Sequence, residues 1–128
     1  YDTSAGVAAL VPFFLVSALL LLNQFPDVDA DRQVGRRHLP IAWGRPRAAR
    51  VFVALYALAY LSIVVGVLVR ALPWPCLLGL ATLPLAIPAA RDALRHADDP
   101  KALLPAMGRN VIVNLATPAL MAVGFAVA

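Results

Sequence analysis

Charge is what this sequence has least of. Only 14% of its 128 residues are charged, about half the share of an ordinary soluble domain, and glutamate is absent altogether. A water-soluble core this small needs polar cover that such a composition does not supply. One cysteine, Cys76, sits in an apolar run, which excludes a disulfide framework and a thiolate metal cluster. No stretch alternates with period two, so a β-barrel is not expected. Internal repeats and low-complexity tracts are lacking too. The arginines do not interleave with aromatics, so the net charge of +4 argues for no nucleic-acid partner. The chain opens on Tyr1 without a signal-peptide pattern, and we expect it to be a portion of a longer protein.

What is present in excess is hydrocarbon. Hydrophobic residues reach 62%, mean hydropathy is +0.80, and the apolar residues gather in four runs, at about 4–22, 51–69, 71–90 and 110–128. Runs of about 20 residues cross a bilayer core of about 30 Å as helices. The expected architecture is therefore all-α, a polytopic transmembrane helix bundle forming a single domain over 1–128. Pro12 should kink the first run. Tyr56 and Tyr60 share a face of the second, one turn apart. They either pack against another helix or line a substrate cavity. Pro73, Trp74 and Pro75 end that helix in a turn, with Trp74 as an interfacial anchor. Pro84 and Pro88 should kink or partly unwind the third run near its end. Arg91 to His96 reads as a short surface helix. Asp98-Asp99-Pro100 then breaks the chain and is suited to cap the next helix. Asn114 and Pro118 lie inside the fourth run.

Basic residues set the expected orientation. Arg32, Arg36, Arg37, Arg45, Arg47 and Arg50 lie in the connection 23–50, and Arg91, Arg95, Lys101 and Arg109 in the connection 91–109. The intervening turn has only Arg70. The positive-inside rule makes the two rich connections cytoplasmic in a multi-pass cell-membrane protein.

The segment from Asn23 to Gly44, NQFPDVDADRQVGRRHLPIAWG, holds three of the seven acidic residues. Asn23, Asp27 and Asp31 recur every four residues, which on a helix stacks them along one face. Pro26 would open that helix, leaving both carboxylates in its first turns. Two carboxylates a turn apart suit Mg²⁺, an ion that takes one or two of them beside phosphate oxygens. Gly35 permits a turn, and the guanidinium forks of Arg36 and Arg37 match phosphate geometry. A plain salt-bridged connector is the competing reading. An EF-hand is excluded, because Arg32 stands at its glycine position and the chain has no glutamate for its last ligand. His38 and His96 are lone histidines in polar connections. There is no Ser/His/Asp set, glycine-rich phosphate loop or Cys/His cluster.

The order Asn23-x3-Asp27-x3-Asp31, Gly35-Arg36-Arg37-x-Leu39, Gly44 resembles the second aspartate-rich motif of the UbiA-type intramembrane prenyltransferases. Within that superfamily it is most similar to the menaquinone-type enzymes that prenylate dihydroxynaphthoate. The resemblance implies that the chain is the C-terminal portion of a nine-helix bundle whose cavity opens to the cytoplasm and to lipid. It implies Mg²⁺ bound by Asp27 and Asp31 as metal and catalytic residues, and substrate contacts from Asn23, Arg36, Arg37, Tyr56 and Tyr60. The two tyrosines would shield an allylic cation. The partners implied are a prenyl diphosphate donor, an aromatic acceptor, the lipid bilayer and an N-terminal half carrying the first aspartate-rich motif. Without that half the chain alone is expected to be inactive. Arg36 stands where the family often has lysine, and His38 where Ser or Thr is common. Relatives use hydroxybenzoate, a porphyrin or a sugar phosphate as acceptor, and those alternatives stay open. A CDP-alcohol phosphotransferase lacks its upstream Asp-Gly and Ala-Arg pair here. A non-catalytic transmembrane segment of a transporter or assembly factor is the remaining alternative.

Overall fold

The computed structural model describes residues 3–25, 33, 35 and 44–128. Helix α1 runs Thr3–Asn23 and α2 runs Arg45–Leu68. A 3-10 helix, Trp74–Thr82, leads directly into α3, Leu83–Arg95, and α4 is Leu104–Val127. No strand occurs among the described residues. Four segments are long and apolar enough to cross a membrane: α1, α2, the continuous Trp74–Arg95 segment and α4.

Packing makes these segments an up-down bundle. The Ser4 hydroxyl donates to the Ala71 carbonyl, while Arg45 at the start of α2 reaches Phe25 just past the end of α1. Helices α1 and α2 are therefore antiparallel. The Cys76 thiol lies 3.8 Å from the Met121 carbonyl and Arg109 pairs with Asp92 at 3.2 Å, so α4 runs antiparallel to the third segment. Asn23, Arg45, Arg95 and Leu104 thus mark one end of the bundle, the charged end. The far end holds the turn at Val69–Pro73 and the exposed Trp74.

Each helix buries one stripe. On α4 the stripe is Ala106, Asn110, Val113, Thr117, Met121 and Gly124, the three-to-four spacing of a helix face. On α3 it is Ala86, Ala89 and Ala93, and small side chains of this kind let membrane helices approach closely. Only 28–33% of the most apolar 18-residue stretch of each span is buried, yet the outward faces carry Phe13, Leu68, Leu115 and Val127. Helices apolar all round belong in hydrocarbon or against further helices.

The helices overrun the uncharged runs at the charged end. Helix α2 begins six residues before Val51, and α4 begins at Leu104 rather than near Asn110. Hydropathy stops at the first arginine, whereas backbone hydrogen bonding does not. Arg91 to Arg95, expected as a separate surface helix, continues α3 without a break. Asp99 accepts from the Ala102 amide at 3.3 Å in the turn before α4 and does not cap that helix, whose start at Leu103 has no side-chain cap.

The irregular winding of the third segment is at its start rather than its end. Pro84 sits in the first turn of α3, where a missing N–H is harmless. It cannot donate to the Leu80 carbonyl as an α-helix requires. The Leu83 amide bonds that carbonyl instead, and Cys76 bonds Pro73 in the same three-residue pattern at 3.0 Å. Pro88 lies inside α3. At the far turn Arg70 adopts φ +61°, the left-handed conformation that ends helices.

Candidate functional site

The charged end is where the acidic segment enters and leaves the bundle. Asn23 closes α1 and is exposed. Phe25, completely buried, fixes the chain just beyond it. Gly44, at φ +83°, brings the chain back into α2. Gly35 has φ +79°, the conformation a tight turn through that position needs. Asp27, Asp31, Arg36 and Arg37 lie outside the described residues. Among the described residues no group of three or more His, Cys, Asp or Glu is gathered as a metal site would need.

Three arginines crowd the start of α2. Arg45 points its Nε and Nη2 at the Phe25 carbonyl oxygen, at 3.1 and 3.0 Å. Arg47 and Arg50 are exposed. No acid stands in this first turn and no side chain caps it, so the positive pole of the helix dipole adds to the guanidinium charge. On the facing side Asp92 and Arg109 tie α3 to α4. The local field therefore favours an anion beside α2.

Below the charged end a line of polar groups descends through the bundle. Phe52, Tyr56 and Tyr60 form an aromatic column on α2, with ring centroids 4.5 Å and 6.4 Å apart. The Tyr56 hydroxyl donates to Asn110 Oδ1, which also accepts from Asn114 Nδ2 at 3.2 Å. One turn deeper the Tyr60 and Thr117 hydroxyls both lie 2.7 Å from Thr82 Oγ1, which donates to the Gly79 carbonyl at 3.0 Å. A threonine hydroxyl has one hydrogen. Since Thr82 gives it to Gly79, Tyr60 and Thr117 must both donate to Thr82. Asn110 Nδ2 and Asn114 Oδ1 are buried with no such partner.

Tyr56 and Tyr60 pack against neighbouring helices and also border open space. Their hydroxyls are spent on helix packing, while their rings line an apolar groove of about 220 Å³ between α2 and α3, with Val53, Ala57, Leu83 and Ile87. Counted from Arg45, they lie about 16 and about 22 Å along the helix axis. An apolar chain is the occupant their surroundings suit.

The sequence reading did not single out Arg45, Thr82, Asn110 or Thr117 as site residues. The last three had a visible signal, since polar side chains inside membrane spans mark packing or function. Arg45 was counted only towards orientation, because its partner is a main-chain carbonyl that no sequence pattern announces. No curated protein and no solved structure matches the chain. A family model described as UbiA prenyltransferase family matches residues 1–126.

Proposed function

Because the chain belongs to the UbiA prenyltransferase family, we propose that it serves Mg²⁺-dependent transfer of an isoprenyl chain from a prenyl diphosphate to an aromatic acceptor, as in menaquinone-type lipoquinone synthesis. The observation carrying this reading is the convergence at one end of the bundle. The connection bearing Asp27 and Asp31 is anchored there, beside the cationic start of α2 and above an apolar groove. A diphosphate needs the first, a hydrocarbon tail the second.

The donor set suits the ion. Two carboxylates at four-residue spacing, with Asn23 preceding them at the same spacing, offer the hard oxygens that Mg²⁺ takes. Bound there, it would supply neutralisation of the charge that develops on the departing diphosphate. Asp27 and Asp31 would hold it. Arg36 and Arg37 would bind phosphate oxygens through their forks, where they stabilise the transition state more than the ground state. The electron pair of the breaking C–O bond leaves with diphosphate, an aromatic carbon supplies the pair of the new C–C bond, and that carbon then gives up its proton to the departed diphosphate or water, or its carboxyl group as CO2, which restores the aromatic ring. Tyr56 and Tyr60 would line the hydrocarbon groove and shield the allylic cation with their ring faces. In this reading the charged end faces the cytoplasm.

The test uses the full-length protein in lipid nanodiscs, with prenyl diphosphate binding and transfer followed against Mg²⁺. Asp27→Ala and Asp31→Ala should each reduce turnover by about 10²-fold or more. Wild-type binding and turnover in both variants would remove the proposal. Competition between a dihydroxynaphthoate and a hydroxybenzoate tests the acceptor class, and the naphthoate should win.

A further inference from the structure

Arg70 breaks two local rules. It is the only charged residue between Val51 and Ala90 and stands at the cation-poor far end, where the positive-inside bias works against an arginine. It also has φ +61°, just past the end of α2, a conformation that glycine adopts freely and a residue with a β-carbon does not. The turn makes no use of its side chain. Main-chain bonds close it, from Arg70 to Val67 at 3.1 Å and from Leu72 to Gly66 at 2.9 Å. The residue is exposed, and its guanidinium has no ion pair or hydrogen bond among the described residues. The negative pole of α2 favours a cation there, but any position in the last turn would serve that end without strain. A residue that breaks such rules calls for a compensating contact or a function.

The groove that ends beside Arg70 supplies the contact. About 270 Å³ in volume, it lies between Leu58, Ser62, Val65 and Val69 of α2 and Val7 and Leu10 of α1. Ser62 gives its hydroxyl hydrogen to the Leu58 carbonyl of its own helix at 2.6 Å, so the groove offers a ligand only an apolar wall. From Leu58 to Val69 it runs about 16 Å along the helix axis. One leaflet of a bilayer core is about 15 Å deep. The groove thus reaches from the far interface, marked by the exposed Trp74, to about the midplane. That is the course of an acyl chain, with Arg70 at the level of its headgroup.

Charge complementarity selects the headgroup. A guanidinium fork matches a phosphate. The acidic side chains among the described residues, Asp92, Asp98 and Asp99, all belong to the charged end. None is left at the far end to receive the ammonium of a zwitterionic lipid. We propose that Arg70 and the α1–α2 groove form a binding site for one anionic phospholipid of the far leaflet, its phosphate on Arg70 and one acyl chain between the two helices. The site is independent of the prenyl-transfer reading.

The experiment uses the full-length protein in nanodiscs of phosphatidylcholine, alone or mixed with phosphatidylglycerol, without donor or Mg²⁺. Lipid retained on the protein is identified by native mass spectrometry, with thermal unfolding recorded alongside. One phosphatidylglycerol should be held about fivefold more strongly than phosphatidylcholine, the contribution of one basic residue at an anionic surface. Arg70→Gln should abolish that preference. Val65→Phe, which fills the groove from an exposed position, should release both lipids, and Arg70→Gln carries the test should it not fold. Lys101→Gln, which removes a charge from the opposite end, should match wild type. An unchanged preference in Arg70→Gln overturns the proposal, as does an equal loss in Lys101→Gln. Displacement of the lipid by inorganic phosphate alone would make the site one for a free anion and overturn it too. So would a dimer in nanodiscs that Val65→Phe separates without changing lipid retention, since a second copy would then fill the groove.

Discussion

Tyr56 and Tyr60 carry the same hydroxyl one turn apart, but removing it has different costs. In Tyr60→Phe the Thr82 hydroxyl keeps Thr117 and Gly79, so no polar atom is stranded. Polar contacts between membrane helices average about 0.6 kcal/mol, and that is the expected loss. In Tyr56→Phe, Asn110 Oδ1 is left with the 3.2 Å bond from Asn114, beside an amide nitrogen already without a partner. Weakening a buried group's satisfaction costs about 1–3 kcal/mol. Thermal unfolding in one detergent should therefore rank Tyr56→Phe clearly below Tyr60→Phe, with wild type highest. The sequence displayed each of these polar residues inside an apolar run. Who meets whom was hidden, because Tyr56 and Asn110 are 54 positions apart and only the register of α2 against α4 joins them.

At the scale of elements, contact geometry separates two glycines of α4. A Cβ on Gly124 would lie 2.6 Å from the Pro75 carbonyl oxygen and 2.7 Å from the Cys76 nitrogen. Backbone cannot step aside as a side chain can. Gly124→Ala should force α4 away from the 3-10 helix at a cost of about 1–3 kcal/mol. Gly108 has nothing within 4 Å of the same position. Gly108→Ala should raise stability by up to about 1 kcal/mol through helix propensity alone. Unfolding midpoints moving in opposite directions would bear out both. The existence and type of all four spans were legible, since an uncharged run of that length has few other homes. Their ends were not, because the arginines that stop a hydropathy scan are still helical at Arg45–Arg50 and Arg91–Arg95. Nor was the tight winding of Trp74–Thr82, which depends on where Pro84 falls within a hydrogen-bonding frame.

For the whole molecule, the charge pattern makes a topological prediction. In a Cys76→Ala background, Lys101→Cys at the charged end and Trp74→Cys at the far end should react with a membrane-impermeant maleimide from opposite sides of sealed vesicles. Labelling of both from one side would refute a membrane-spanning arrangement of the segment between them. The four-span layout and the common end of the basic connections could be drawn from the sequence. The candidate metal ligands could be named from spacing, with Asp27 and Asp31 outside the described residues and Asn23 at the helix end leading to them.

The tight winding that begins at Trp74 is felt at the opposite rim. Nine residues climbing about 2.0 Å each cover about 18 Å, where ordinary winding would give about 14 Å. The shortfall would be most of one turn. Asp92 would stop below the level of Arg109, and the bridge that ties the last two segments together would go unmade. A change of pitch beside the far tryptophan thus decides where a carboxylate comes to rest on the other side of the bilayer.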